Sequence, residues 1–152
     1  MNAASESVVE YVTATIGDQF FGLPIARVQD VFAPQRTTMV PLAGPEIAGL
    51  INLRGRIVTM IDMRRRLDLK AQGDGRRMMA IGVEYKGESY GLLIDEIGEV
   101  VKLTASSRED IPINLDGRLA RVSSGVHRLD GRLMVVLDVE RVLDIVATAQ
   151  AA

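Results

Sequence analysis

Cysteine is absent from the 152-residue chain. Its absence removes disulfides, thiolate nucleophiles and cysteine-based metal sites together, and fits a reducing compartment. Histidine occurs once, at position 127, and tryptophan not at all. Net charge is only −2, so no global field draws the chain to nucleic acid or a membrane surface. Long apolar runs are missing too. The longest stretch without a charged residue runs from Thr37 to Pro45, far short of the ~20 apolar residues a spanning helix needs. The start, "MNAASESVVEYV", has no basic segment leading into an apolar run, so no signal peptide is expected. The chain reads as soluble and cytoplasmic, without direct membrane insertion.

What is present is a globular composition, 47% hydrophobic and 25% charged, and the chain says most things twice. "FGLPIARVQDV" (21–31) aligns with "YGLLIDEIGEV" (90–100): Gly22, Leu23, Ile25 and Val31 recur 69 positions later as Gly91, Leu92, Ile94 and Val100. "GLINLRGRIVTMIDMRRRLDL" (49–69) aligns with "GVHRLDGRLMVVLDVERVLDI" (125–145) at an offset of 76. The offset grows by seven because the second half carries extra residues around "INLDGRLARVSS". Such ordered self-similarity marks a repeat architecture.

Each repeat has the same expected content. A strand (Val8–Ile16 or Met78–Tyr85) leads through a glycine turn into a second strand (Phe20–Pro24 or Ser89–Ile94). A less regular segment follows. A third strand then enters a tight turn, "NLRGR" (52–56) or "RLDGR" (128–132), and a nearly all-apolar strand, "RIVTMID" or "RLMVVLD", leaves it. Asp62 and Asp138 close those strands as natural helix N-caps, predicting a short helix after Asp62 and a longer one at the C-terminus. The repeats span about 8–69 and 78–147, joined by the polar linker 70–77, and the tail beyond Ala147 is expected to fray. About seventy residues make a marginal independent core. Two such halves are expected to pack together as one domain, for which strand exchange is one route, with a groove at their junction.

Chemistry is scarce. Ser124, His127 and Asp130 lie within one strand and its turn, where side-chain alternation sends Ser124 and His127 to opposite faces. His127 is therefore read as a solvated or half-buried strand residue. A single histidine without an oxygen-rich loop offers no metal set, and "GDG" (73–75) lacks the strand-to-helix setting and lysine of a phosphate loop. No catalytic residue, metal or cofactor is expected. The segment 54–77 holds eight basic residues against three acidic ones. It raises the alternative of a small barrel binding single-stranded nucleic acid. It has no aromatic residue on which bases could stack, and part of it falls on a predicted helix, where a solvated face explains the charge. Protein binding is the remaining class. Ile25, Val28 and Val31 in "GLPIARVQDVFAP" fit either core or interface.

"FGLPIARVQDVFAP", "IAGLINLRGRIVTMIDMRRRL" and "GLLIDEIGEVVKL" together resemble the CheW family of bacterial chemosensory coupling proteins. The pattern G-x-x-N-L-R-G-x-I-x-x-x-I-D-x-R is met by Gly49, Asn52, Leu53, Arg54, Gly55, Ile57, Ile61, Asp62 and Arg64, and the likeness covers roughly residues 8–145. It implies a mainly β fold of two intertwined five-stranded barrels, SH3- or OB-like, related by a pseudo-twofold axis. It implies a non-catalytic adaptor in chemoreceptor arrays, binding the cytoplasmic tips of chemoreceptors and the regulatory domain of a CheA-type histidine kinase, with other CheW-like domains in rings as a further possibility. Carried over by position, it implicates Val28, Asp30 and Val31 in receptor coupling, and Gly49, Asn52, Arg54 and Gly55 around the partner surfaces. Asp30 stands where many relatives have glutamate. Arg54, where the second repeat has the turn-forming Asp130, is expected to reach Asp30 or a carboxylate on a partner.

Overall fold

Ten strands and a few short helical pieces make up the computed structural model, which describes residues 7–34, 44–69 and 78–144. The first repeat supplies β1 (Val8–Ile16), β2 (Gln19–Pro24), β3 (Val28–Phe32), β4 (Ile47–Leu53), β5 (Arg56–Asp62) and α1 (Met63–Arg66). The second supplies β6 (Met79–Tyr85), β7 (Glu88–Ile94), β8 (Glu96–Thr104), α2 (Gly117–Arg121), β9 (Ser123–Leu129) and β10 (Arg132–Leu137), with a helix starting at 139. The linker 70–77 and the tail beyond 144 lie outside the described residues.

The strands are exchanged between repeats. One sheet, here sheet A, runs β8-β1-β2-β10-β9; the other, sheet B, runs β3-β6-β7-β5-β4. Advancing every strand of the first order by five positions, counting past ten to one, gives the second order. Each sheet therefore combines two strands from one repeat with three from the other. The parallel contacts correspond as well, Gly22 opposite Val136 and Gly91 opposite Met60. The expected pair of intertwined five-stranded units is what the chain forms.

Three apolar clusters explain why some strands read as unbroken hydrophobic runs. The largest lies between the sheets and takes Ile16, Phe21 and Leu23 from one side and Ile61, Ile81 and Leu92 from the other. Each sheet also curls around a smaller cluster of its own: Ile51, Val58 and Met60 in sheet B, and Tyr11, Met134 and Val136 in sheet A. β5, β7 and β10 serve two clusters, so successive residues are buried on opposite faces. Interior space is tight. A methyl group on Gly22 would lie 2.6 Å from Met134 Sδ, and one on Gly91 2.7 Å from Met60 Sδ.

The less regular segments expected after β2 and β7 are instead β3 and β8. Pro24 ends β2, a single 3-10 turn follows at Ile25–Arg27, and the backbone is extended again from Val28. α2 was not anticipated. It lies in the seven-residue insertion, where Asp116 accepts a hydrogen bond from Arg118 N at 2.8 Å. The caps at the ends of β5 and β10 form as expected. Asp62 Oδ1 accepts from Arg64 N at 3.0 Å and Arg65 N at 3.3 Å, and Asp138 Oδ1 from Arg141 N at 3.2 Å.

Two ion pairs tie the helical pieces to the opposite repeat, with reversed polarity. Arg64 of α1 binds Asp95, at the joint of β7 and β8, through both Nε and Nη2. Asp95 also accepts from Gly17 N in the β1–β2 turn. At the corresponding place, 76 residues on, Glu140 binds Arg27 at 2.6 Å beside the β2–β3 joint. The first pair is largely buried, with side chains 11% and 9% exposed; the second stands at 35% and 58%.

Candidate partner-binding surface

The turn between β4 and β5 shows why arginine can stand at position 54. Its two central residues, Arg54 and Gly55, have φ of 54° and 83°, as a type I′ hairpin requires. Lys86-Gly87 and Asp130-Gly131 make the same turn, with φ of 52° and 80°, and 48° and 79°. The first position thus accepts a non-glycine residue in all three. In the first repeat the turn gains an acceptor two residues upstream: Asn52 Oδ1 receives the Gly55 N–H at 2.9 Å. Arg128, the counterpart of Asn52, has no oxygen to offer. With Asn52 bracing the turn, position 54 is free to carry a guanidinium.

All seven residues implicated by the sequence fall on sheet B, on its two outer strands and this hairpin tip. Val28, Asp30 and Val31 lie on β3; Gly49 and Asn52 lie on β4. The core-or-interface question at 25–31 resolves residue by residue. Val28 packs against the central cluster, whereas Ile25 and Val31 are 41% and 39% exposed. Gly49 sits at a bulge opposite Met60 with φ of 149°, and Gly125 sits at the matching bulge opposite Val136 with φ of 157°. Its recurrence reflects backbone geometry. Arg54 is exposed and makes no ion pair with Asp30 or any other carboxylate among the described residues. Ile57, in the family motif but not among the residues implicated in binding, is 58% exposed beside the turn; its alternation with buried Val58 was the available signal.

The repeat-related surface of sheet A is a groove of about 360 Å³, lined by Thr13, Phe20, Glu96, Glu99, Asp130 and Arg132 among others. Glu99 and Asp130 hold the places of Asp30 and Arg54. The groove is acidic where the sheet B surface mixes both signs. Arg132 lies over the Phe20 ring at 4.1 Å, so it has a packing role of its own.

The basic segment 54–77 does not form one cationic face. Arg64 is consumed by Asp95, Arg65 lies 3.7 Å from Asp62, and Arg66 donates to the carbonyls of Val142 and Arg141. Lys70, Arg76 and Arg77 lie outside the described residues.

His127 is buried rather than solvated. One ring nitrogen, Nδ1, lies 3.0 Å from Ser107 Oγ and the other, Nε2, 3.3 Å from the Tyr11 hydroxyl. Burial, reinforced by Arg108 and opposed by Glu109, lowers its pKa; burial raises that of Tyr11. Ser124 is exposed, at the bulge of β9. No three acidic or histidine side chains gather as a metal set among the described residues.

The family of CheW-like domains matches residues 10–147. The chain belongs to the CheW-like domain family. The chemotaxis protein CheW of Rhizobium meliloti (strain 1021) is 30% identical over 138 residues, covering 88% of this chain and 86% of that one. The crystal structure of the scaffolding protein TtCheW from Thermoanaerobacter tengcongensis superposes with a TM-score of 0.78 at 26% identity, covering 86% and 89%. The chemotaxis protein CheA of Klebsiella aerogenes matches 88% of this CheW-like chain at 23% identity, but only 20% of its own length is involved. A CheW-like unit is thus also built into that larger protein.

Proposed function

We propose that this CheW-like chain is a chemotaxis coupling adaptor, joining the cytoplasmic tips of chemoreceptors to a CheA-type histidine kinase by binding alone. The observation that carries this reading is the family match across residues 10–147, on a chain whose lone histidine is locked inside a barrel. The partner surface is built by Val28, Asp30, Val31, Gly49, Asn52, Arg54 and Gly55, with Val28 packing inward to seat β3. In this reading Arg54, Asp30 and Val31 make contacts, while Gly49, Asn52 and Gly55 set the backbone that presents them. A kinase with its own CheW-like unit offers a related double-barrel fold as docking partner, and the same geometry permits rings with other CheW-like domains. The chain works in the cytoplasm, held at the membrane through receptors; no helix among its described residues is long and apolar enough to cross one.

Nucleic-acid binding gains no support, because Arg64 and Arg66 are spent on internal contacts. The test is capture on the immobilised regulatory domain of the kinase, and separately on a receptor cytoplasmic fragment. Saturable binding to both is expected. Retention on a polyanion column, with steep salt dependence and no binding to either protein, would favour the discarded alternative.

A further inference from the structure

Among the described residues, Asp30 Oδ1 is the buried side-chain oxygen that finds no hydrogen-bond donor. A buried unpaired acceptor in a native fold calls for an explanation. Its position supplies one. Asp30 lies opposite Gly82 at a bulge between β3 and β6, and a Cβ at position 82 would collide with Oδ1. The carboxylate fills the space that a side chain at 82 would occupy. Sheet A resolves the same place differently. There Thr13 stands at the counterpart of Gly82, and its hydroxyl donates to the Glu99 carbonyl at 2.6 Å. Sheet A closes its bulge with a hydrogen bond; sheet B leaves an acceptor unfilled.

We propose that Gly82 is the positioning residue for Asp30, holding its carboxylate tucked and incompletely satisfied until a cationic donor of the docked protein partner draws it outward. This rests on the reading of β3 as a partner surface and adds a residue to it that the family motif does not contain. Rotation about the Asp30 Cα–Cβ bond frees both oxygens for a guanidinium or ammonium group. The tucked state withholds part of the population from binding, so releasing the carboxylate in advance tightens the complex.

The experiment measures Kd for the kinase regulatory domain and for the receptor fragment, together with Tm, on wild type, Asp30→Ala, Asp30→Asn, Gly82→Ala and the double variant Asp30→Ala/Gly82→Ala. Asp30→Ala and Asp30→Asn are expected to weaken at least one partner tenfold or more without lowering Tm, since Asp30 Oδ1 makes no hydrogen bond among the described residues. Gly82→Ala, which expels the carboxylate, is expected to bind that partner at least as tightly as wild type. The double variant should match Asp30→Ala. Wild-type binding that Asp30→Ala leaves unchanged would overturn the proposal alone, as would Gly82→Ala binding as poorly as Asp30→Ala. Failure of the wild-type chain to bind either protein would overturn the adaptor reading, and this proposal with it.

Discussion

Asn52 and Arg54 show how a turn can be held by one residue and used by another. Removing the Asn52 acceptor leaves the Gly55 amide without its partner, so Asn52→Ala is expected to cost about 0.5–1.5 kcal/mol, read as a lower denaturant midpoint. Gly55→Ala meets no neighbour within 4 Å, so only its φ of 83° opposes the change, and about 1 kcal/mol is expected. Gly125→Ala should cost more, because the added carbon also falls 3.1 Å from the Glu109 carbonyl. Arg54→Ala removes an exposed guanidinium that pairs with no carboxylate among the described residues. Tm should stay nearly unchanged while the complex loses ~2–5 kcal/mol if the group is buried at the interface. Arg132→Ala, its near neighbour in the other turn, should spare binding yet lower stability by about 0.5–1 kcal/mol through the Phe20 contact. The tight turn at Gly55 and the caps at Asp62 and Asp138 were legible in the sequence because each is local to a few residues; the Asn52 brace was not read there. The tuck of Asp30 against Gly82 was not, since a bulge between distant strands creates it.

At the scale of elements, the exchange of strands makes inter-repeat contacts decisive. Arg64 and Asp95 are nearly out of water, so Arg64→Ala strands a buried carboxylate that still holds the Gly17 amide. A loss of ~3–5 kcal/mol is expected. The pair made by Glu140, the counterpart of Arg64, is exposed, and Glu140→Ala should change stability by only about 0–1 kcal/mol. Comparable losses in urea unfolding would contradict this assignment. The repeat and the order of most strands could be read from the chain, because double-sided burial writes long apolar runs into β5 and β10. β3 and β8 could not. Both lie at sheet edges with no fully buried side chain, and a strand without a buried face leaves little apolar periodicity to detect. α2 was missed because its signal is a lone cap on five residues, below the length at which helical periodicity can be recognised.

For the molecule as a whole, the two barrels differ most in their interiors. His127 and Tyr11 hold the places of Ile51 and Ala80, so sheet A encloses a polar chain where sheet B is apolar. The lowered His127 pKa has a definite sign. Unfolded histidine titrates near ~6.5, and the fold resists protonation, so the unfolded chain binds more protons below that value. Stability should be full above ~6.5 and fall as pH drops through it toward the lower folded value. His127→Gln, which does not titrate, should flatten that part of the Tm-versus-pH curve relative to wild type. The proposed coupling requires that receptor and kinase be held at once, which co-sedimentation of the purified kinase with receptor-bearing membranes, with and without this chain, reads out. Kinase should pellet with the membranes only when the wild-type chain is present, and should remain largely in solution with Arg54→Ala. Kinase that pellets equally well without the chain, or stays soluble with it, would contradict the adaptor role.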